Sequence, residues 1–186
     1  MSTARVCRCL RAQVLQDAGG RCGYCRLSEE ITGTPLEIEH IVPQARGGPT
    51  RRANLWAVCR YCNLLKSDHI AAPDPETGAL TPLFNPRAER WSDHCVWIDG
   101  GLRVQGTTPT GRATVAALAL NRAVLVRARS YWVSAGVEAN LVPLEGRTHS
   151  WTARIDPPGD AWRYWELAPM ALPFFTKHLK PWQATA

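Results

Sequence analysis

The segments CGYC (residues 22–25), EHIVP (39–43) and CRYCN (59–63) stand close together in this 186-residue chain. Both cysteine pairs have the spacing Cys-x-x-Cys, and thiolates three positions apart can grip one tetrahedral ion. Two such pairs complete a four-thiolate shell, which leaves no open position for water. We therefore expect a structural zinc ion, held by Cys22, Cys25, Cys59 and Cys62.

The number and spacing of the cysteines argue against a disulfide framework. The chain has seven cysteines, an odd number, and four of them fall in the two pairs. Neither a run of about 18 apolar residues nor an apolar stretch of signal-peptide type is present in the sequence. We therefore expect a cytoplasmic protein without a membrane span, in which thiols stay reduced. Cys7, Cys9 and Cys95 are interpreted as free thiols, although a metal at the Cys7–Cys9 pair stays open.

Composition narrows the class of protein further. The hydrophobic fraction of 45% allows a real core and argues against wholesale disorder. Lys and Arg number 22 against 16 Asp and Glu, which gives a net charge of +6 and a sequence pI near 9.2. This excess favours a polyanionic partner such as nucleic acid, but it also suits many proteins with no such partner.

The order of elements around the cysteines is predicted to be strand, loop, strand, helix. Residues 36–42 alternate apolar and polar side chains up to Pro43, residues 54–58 form a short apolar run, and residues 60–70 read as a helix. Outside this unit we expect a helix over 5–18, a proline-rich linker over 71–87, a hairpin turning at 99–101 and one long helix over 112–134. Residues 143–186 have no clear period.

The EHIVP segment and the residue after the last cysteine carry groups suited to phosphodiester cleavage. His40 has an unperturbed pKa of about 6.5, which suits a general base. Glu39 and Asn63 offer the oxygen ligands that hard divalent cations prefer. Each residue also has a plain interpretation: His40 as a hydrogen-bonded structural histidine, and Asn63 as a helix-surface amide.

Taken together, these motifs resemble those of the HNH endonucleases, of the four-cysteine zinc, ββα-metal type. The resemblance rests on Glu39-His40-Ile-Val-Pro43, Gly47-Gly48, Asn54-Leu55 and Cys59-x-x-Cys62-Asn63-x-x-Lys66. The three naming positions fall at His40, Asn54 and Asn63, an H-N-N version of the motif. Glu39 departs from the Asp that is more usual there. The match is dense from Cys22 to about Asp68.

The resemblance implies a role for each matched residue. His40 would act as general base, and Asn54 would brace the loop that presents it. Glu39 and Asn63 would hold one catalytic divalent cation, Mg²⁺ or else Mn²⁺ or Ni²⁺. Lys66 would contact phosphate, and the loop arginines Arg46, Arg51 and Arg52 are further candidates for binding substrate, although loop charges are usually only solvated.

The fold class expected is α+β, with a zinc-clamped ββα nuclease core over residues 1–72 and a linker with an α+β extension over 73–186, packed on the core. The activity expected is metal-dependent cleavage of double-stranded DNA. The alternative is a zinc-knuckle module that binds nucleic acid without cleaving it. A homodimer, or docking to a larger phage or defence complex, is compatible with the sequence.

Overall fold

The architecture comes from a computed structural model that describes residues 6–135, all of which fall in one compact unit spanning residues 1–142. Helices and small antiparallel sheets are mixed along this part of the chain, so the α+β prediction is confirmed. Short 3₁₀ turns lie at 44–46, 52–54 and 99–101. The helices and strands are α1 (Arg8–Asp17), α2 (Glu29–Thr32), β1 (Glu37–His40), β2 (Leu55–Val58), α3 (Arg60–Lys66), β3 (Ala71–Pro73), β4 (Leu80–Pro82), α4 (Trp91–His94), β5 (Cys95–Ile98), β6 (Arg103–Gly106), α5 (Pro109–Ala117) and α6 (Ala123–Ser134).

The unit between the cysteine pairs has the predicted order of strand, loop, strand, helix. β1 and β2 are antiparallel, and their register pairs Glu39 with Trp56 and His40 with Leu55. Cys59 ends β2 and caps α3, since its sulfur accepts a hydrogen bond from the Cys62 amide. The second cysteine pair therefore forms the junction between strand and helix.

One buried cluster joins this unit to the elements on both sides of it. The cysteines at 22, 25, 59 and 62 share it with Val14 of α1 and with Leu55 and Val58 of β2. From the later part of the chain it includes Phe84, Leu118, Leu120 and Leu125. The ring of Tyr24 meets Phe84 edge-on at 6.4 Å between centroids, and the Trp91 indole donates to the Tyr24 carbonyl at 2.9 Å.

The long helix predicted over 112–134 is two helices, so that prediction was wrong. α5 ends at Ala117 and α6 begins at Ala123, with Ala119 between them in the left-handed region at φ 44°. The break buries both Leu118 and Leu120 fully. It also lets the Asn121 amide bond both the N–H and the carbonyl of Val104, at 2.8 Å each. These tertiary contacts outweigh the helical propensity of the alanine- and leucine-rich sequence.

Two further differences are local. The helix predicted to reach residue 70 ends at Lys66, because Ser67 adopts a non-helical backbone with φ 49°. The proline-rich segment predicted as a linker contains the β3–β4 hairpin. The predicted helix at 5–18 is confirmed as α1, and the hairpin turning at 99–101 is confirmed as β5–β6.

The remaining predictions on organisation stay open. The domain boundary after residue 72 stays a prediction, and residues 143–186 lie outside the described residues. Within 6–135, none of the helices combines the length and the apolar character that crossing a bilayer requires.

Candidate active site and metal centre

The four paired cysteines form a compact and fully enclosed cluster. Their sulfur atoms all lie within 4.8 Å of one another, and all four side chains are buried. Hydrogen bonds from the neighbouring thiols lower the pKa of Cys59, whereas burial raises the pKa of Cys22 and hydrogen bonds with the other thiols raise the pKa of Cys62. Four sulfurs so close can all be thiolates only around a cation. The cluster fits a structural zinc ion, with no position left open for water.

His40 lies at the end of β1, where the loop to β2 begins. Its Nε2 is 2.9 Å from the Thr50 hydroxyl, which also accepts a hydrogen bond from the Gln44 side chain at 2.9 Å. Burial lowers the pKa of His40 below its ordinary value, and the positive charge of Lys66 acts in the same direction. The ring is therefore neutral at pH 7, the state in which an imidazole accepts a proton.

Asn54 braces the loop that follows His40. Its Oδ1 accepts from the Val42 amide at 2.9 Å, and its Nδ2 donates to the carbonyls of Val42 and Pro49 at 2.9 and 3.1 Å. Gly48 closes the same loop so tightly that an added Cβ would lie 1.7 Å from the Val42 carbonyl oxygen. The loop can carry no larger residue there.

Glu39 points into the interior rather than toward solvent. Its Oε1 pairs with Lys66 Nζ at 2.6 Å and accepts from the Tyr24 hydroxyl at 3.2 Å. Burial raises the pKa of Glu39, while Lys66 and Tyr24 oppose that effect. Its Oε2 is buried and has no hydrogen-bond partner within residues 6–135.

Lys66 is almost as buried as Glu39, with 2% of its side chain exposed. Besides Glu39 it donates to the His40 carbonyl at 3.2 Å. The ammonium group is thus enclosed beside the candidate base. In this position Lys66 is not a solvent-facing phosphate contact, contrary to its expected role.

Asn63 is bonded to a residue that the sequence did not single out. Its Nδ2 donates to Glu37 Oε2 at 2.7 Å, and Arg60 pairs with the other oxygen of Glu37 at 3.3 Å. These three side chains and Ser67 line one surface cavity, whereas Lys66, Ile41 and Val42 line another. His40 lines neither cavity, so the structure does not bring Asn63 and His40 together in either one.

The donor atoms for a catalytic cation are therefore limited. Glu39 Oε2 is an unpartnered carboxylate oxygen, and the Asn63 amide keeps its oxygen once Nδ2 is bonded to Glu37. Both are the hard oxygen donors that Mg²⁺ or Mn²⁺ prefers. These atoms would suit a divalent ion in kind, and Lys66 Nζ already pairs with the other oxygen of Glu39.

The loop arginines are placed unequally for substrate binding. Arg46 pairs with Asp68, its Nε donating to that residue's carbonyl at 2.7 Å. Arg52 pairs with Asp17 of α1, which also binds Arg87. Arg51 is exposed and has no side-chain partner among the described residues. It is the best placed of the three to meet a phosphate.

Comparison with known proteins supports the interpretation of residues 22–69. The model of the HNH endonuclease family matches residues 22–69. Residues 22–69 form an HNH domain. No curated protein and no solved structure matches the chain. The family implies a nucleic-acid substrate, and the HNH domain includes the cysteine cluster, His40, Asn54 and Asn63.

Sequence reasoning missed several partners of the named residues. Thr50, Gln44, Tyr24 and Glu37 contact His40, Glu39 or Asn63 directly or through one bond. Only the alternation along β1 could have pointed to one of them, because it places Glu37 on the same face as Glu39. The others come from loops or from the first cysteine knuckle, whose positions depend on tertiary packing.

Proposed function

We propose that this protein is an endonuclease that hydrolyses phosphodiester bonds in DNA, with His40 as the general base. The observation that carries the proposal is the position of His40, held at the end of β1 by a 2.9 Å contact with Thr50 inside the matched HNH domain. The net charge of +6 supports a nucleic-acid substrate.

The Thr50 contact suggests which ring nitrogen reacts. If Nε2 carries the proton and donates it to the Thr50 hydroxyl, the lone pair of Nδ1 is left to accept a proton. His40 then takes a proton from water, and the resulting hydroxide attacks the phosphorus. The bond from phosphorus to the 3′ oxygen breaks, leaving 5′-phosphate and 3′-hydroxyl ends once that oxygen takes up a proton.

Asn54, Lys66 and Arg51 support this step in different ways. Asn54 holds the loop so that the strand presents His40 in one orientation. Lys66, which donates to the His40 carbonyl, lowers the pKa of His40 and so favours the neutral form of its ring. Arg51 would bind the DNA backbone without reading its sequence.

A divalent cation, Mg²⁺, Mn²⁺ or Ni²⁺, would be held through Glu39 Oε2 and the Asn63 amide oxygen, and it would stabilise negative charge on the phosphate. The products distinguish two modes of cleavage. Nicked plasmid indicates that one strand is cut, and linear plasmid indicates that a pair of copies cuts both strands.

The test is cleavage of supercoiled plasmid in Mg²⁺, Mn²⁺, Ni²⁺ or EDTA by wild type, His40→Ala and His69→Ala. His69 is an exposed histidine just beyond α3 and serves as the matched control. We expect wild type and H69A to nick plasmid only with a divalent ion and H40A to be at least about 100-fold slower. Equal rates for H40A and wild type would refute the role of His40.

One observation favours a second candidate, a zinc-stabilised module that binds nucleic acid without cleaving it. Glu39 is paired with Lys66, and Asn63 is bonded to Glu37, so both expected cation ligands have protein partners. Under this alternative, plasmid would be bound in a salt-dependent manner but would stay intact with every metal ion.

A further inference from the structure

A cavity of about 310 Å³ lies beside the loop that follows His40. Ile41 and Val42, the two residues after His40, line one part of it. Lys66, at the end of α3, and Ile70, just before β3, line another. This volume is at the lower end of the range for sites that hold small organic groups. The cavity therefore shares a loop with the strand end that carries the candidate base.

The rest of the cavity wall comes from residues beyond the HNH domain. These residues lie in and after β4, and they are 82–85, Ala88 and Glu89. Hydrogen bonds fix this segment against its neighbours. The Leu83 amide donates to the Ile70 carbonyl at 3.0 Å, and the Phe84 amide donates to the Thr114 hydroxyl at 2.8 Å. The cavity is therefore already formed in the protein without a ligand, as small-molecule sites usually are.

Apolar side chains make up much of the lining, and two of them are open to water. Val42 is 40% exposed and Ile70 is 43% exposed, although both line the cavity. Phe84 and Tyr24 are buried and meet edge-on at 6.4 Å between ring centroids. Lining of this kind suits an apolar, flat part of a ligand.

Asn85 and Glu89 add a donor and an acceptor to this lining. The Asn85 Oδ1 accepts from the Arg87 amide at 3.0 Å, whereas its Nδ2 has no hydrogen bond within residues 6–135. One oxygen of Glu89 accepts from the Asn85 amide at 2.7 Å, and the other lies 3.6 Å from His94 Nε2. Each carboxylate oxygen has two lone pairs, so Glu89 can accept from a ligand as well.

A nucleobase meets both requirements of this cavity. Its faces are flat and stack on apolar or aromatic side chains, and its edge carries hydrogen-bond donors and acceptors together. In DNA, the bases next to the cut phosphate are the groups closest to the loop that follows His40. Inside a duplex these bases are stacked, so a base can enter a protein cavity only after it has left the stack.

We propose that this cavity receives one unstacked base of the substrate strand, next to the phosphate that is cut. DNA with an unpaired base at that position is then the preferred substrate, because unstacking an unpaired base costs least. This inference rests on the proposed DNA substrate, but it does not require that the DNA be cleaved.

The test compares two duplex oligonucleotides that differ by a single base. One carries a bulged nucleotide, and the other carries an abasic nucleotide at the same position, so both have the same backbone and the same break in stacking. Affinity is measured by fluorescence anisotropy without added divalent cation, which prevents cleavage. Ala88→Phe fills the cavity from the β4 side. Ala123→Phe is the matched control, because Ala123 is also an exposed alanine and lines neither cavity.

We expect wild type and A123F to bind the bulged base about 10-fold more tightly than the abasic duplex, the usual effect of one stacked base. A88F should bind the two duplexes equally. The ratio is taken within each variant, so a general change in affinity cancels. The proposal is overturned if wild type binds both duplexes equally, or if A88F keeps the preference.

If A88F does not fold, Ile70→Trp narrows the cavity from the opposite side and gives the same comparison. Loss of the preference for the bulged base in I70W supports the proposal. An unchanged preference in I70W contradicts it.

Cleavage of the same duplexes in Mg²⁺ or Mn²⁺ separates this proposal from the proposed nuclease activity. We expect wild type to cut beside the bulged base about 10-fold faster than the fully paired duplex. If no duplex is cut but the binding preference is present, the nuclease proposal fails and the base site stands. If all duplexes are cut and bound equally, the nuclease proposal stands and the base site is refuted.

Discussion

The Thr50 hydroxyl is the contact that sets the orientation of the His40 ring, so removing it tests the proposed base directly. Thr50→Val should lower kcat for plasmid cleavage about 10- to 100-fold with little change in KM, because the ring loses the partner of Nε2. Thr50→Ser keeps the hydroxyl and should restore most of the rate. Equal loss in both variants would mean that Thr50 acts through packing alone.

The lowered pKa of His40 fixes the direction of the pH dependence. A protonated imidazole cannot accept a proton, so the cleavage rate should fall as pH drops through the pKa of His40. Since burial holds that pKa below its ordinary value, the acid limb should lie below about pH 6.5. Rates measured from pH 4.5 to 8 check this, and an acid limb above pH 7 would contradict it.

The Glu39–Lys66 pair is the costliest polar contact in the site to break. Lys66→Met leaves a buried carboxylate without its cation and should destabilise the protein by about 3–5 kcal/mol. Adding Glu39→Gln removes the stranded charge, so the double variant should recover much of that loss in urea unfolding. A double variant less stable than K66M would show that the pair does not behave as a coupled unit.

At the scale of elements, the sequence predicted the structure best where a local pattern of residues is sufficient to determine the geometry. Two Cys-x-x-Cys pairs predict a four-sulfur cluster at almost any separation, and alternation up to Pro43 predicts β1. The break between α5 and α6 could not be predicted, since it depends on burying Leu118 and Leu120 and on Asn121 reaching Val104. The contact between Lys66 and Glu39 could not be predicted either, because a lysine at a helix end is usually solvated.

Two asparagines make the same pair of bonds in different places and so form a natural comparison. Asn54 bonds both backbone groups of Val42, and Asn121 bonds both backbone groups of Val104. Replacing either with alanine leaves partly buried backbone groups without these partners and should cost about 1–3 kcal/mol. Only Asn54→Ala should also slow cleavage beyond what its thermal unfolding explains. Equal activity in the two variants would remove Asn54 from the site.

For the whole molecule, the shared core implies that the HNH domain is not stable on its own. A chain ending at residue 72 lacks Phe84, Leu118, Leu120 and Leu125, which belong to the same buried cluster as the four cysteines and the residues of β2. Burying each such side chain contributes about 1.5–3 kcal/mol, and the sum rivals the entire stability of a typical domain. We expect residues 1–72 with zinc to show no cooperative thermal unfolding by circular dichroism, whereas residues 1–142 unfold cooperatively. A sharp, zinc-dependent transition in the short chain would instead make the cysteine cluster sufficient for folding, with the later elements packed on an already stable domain.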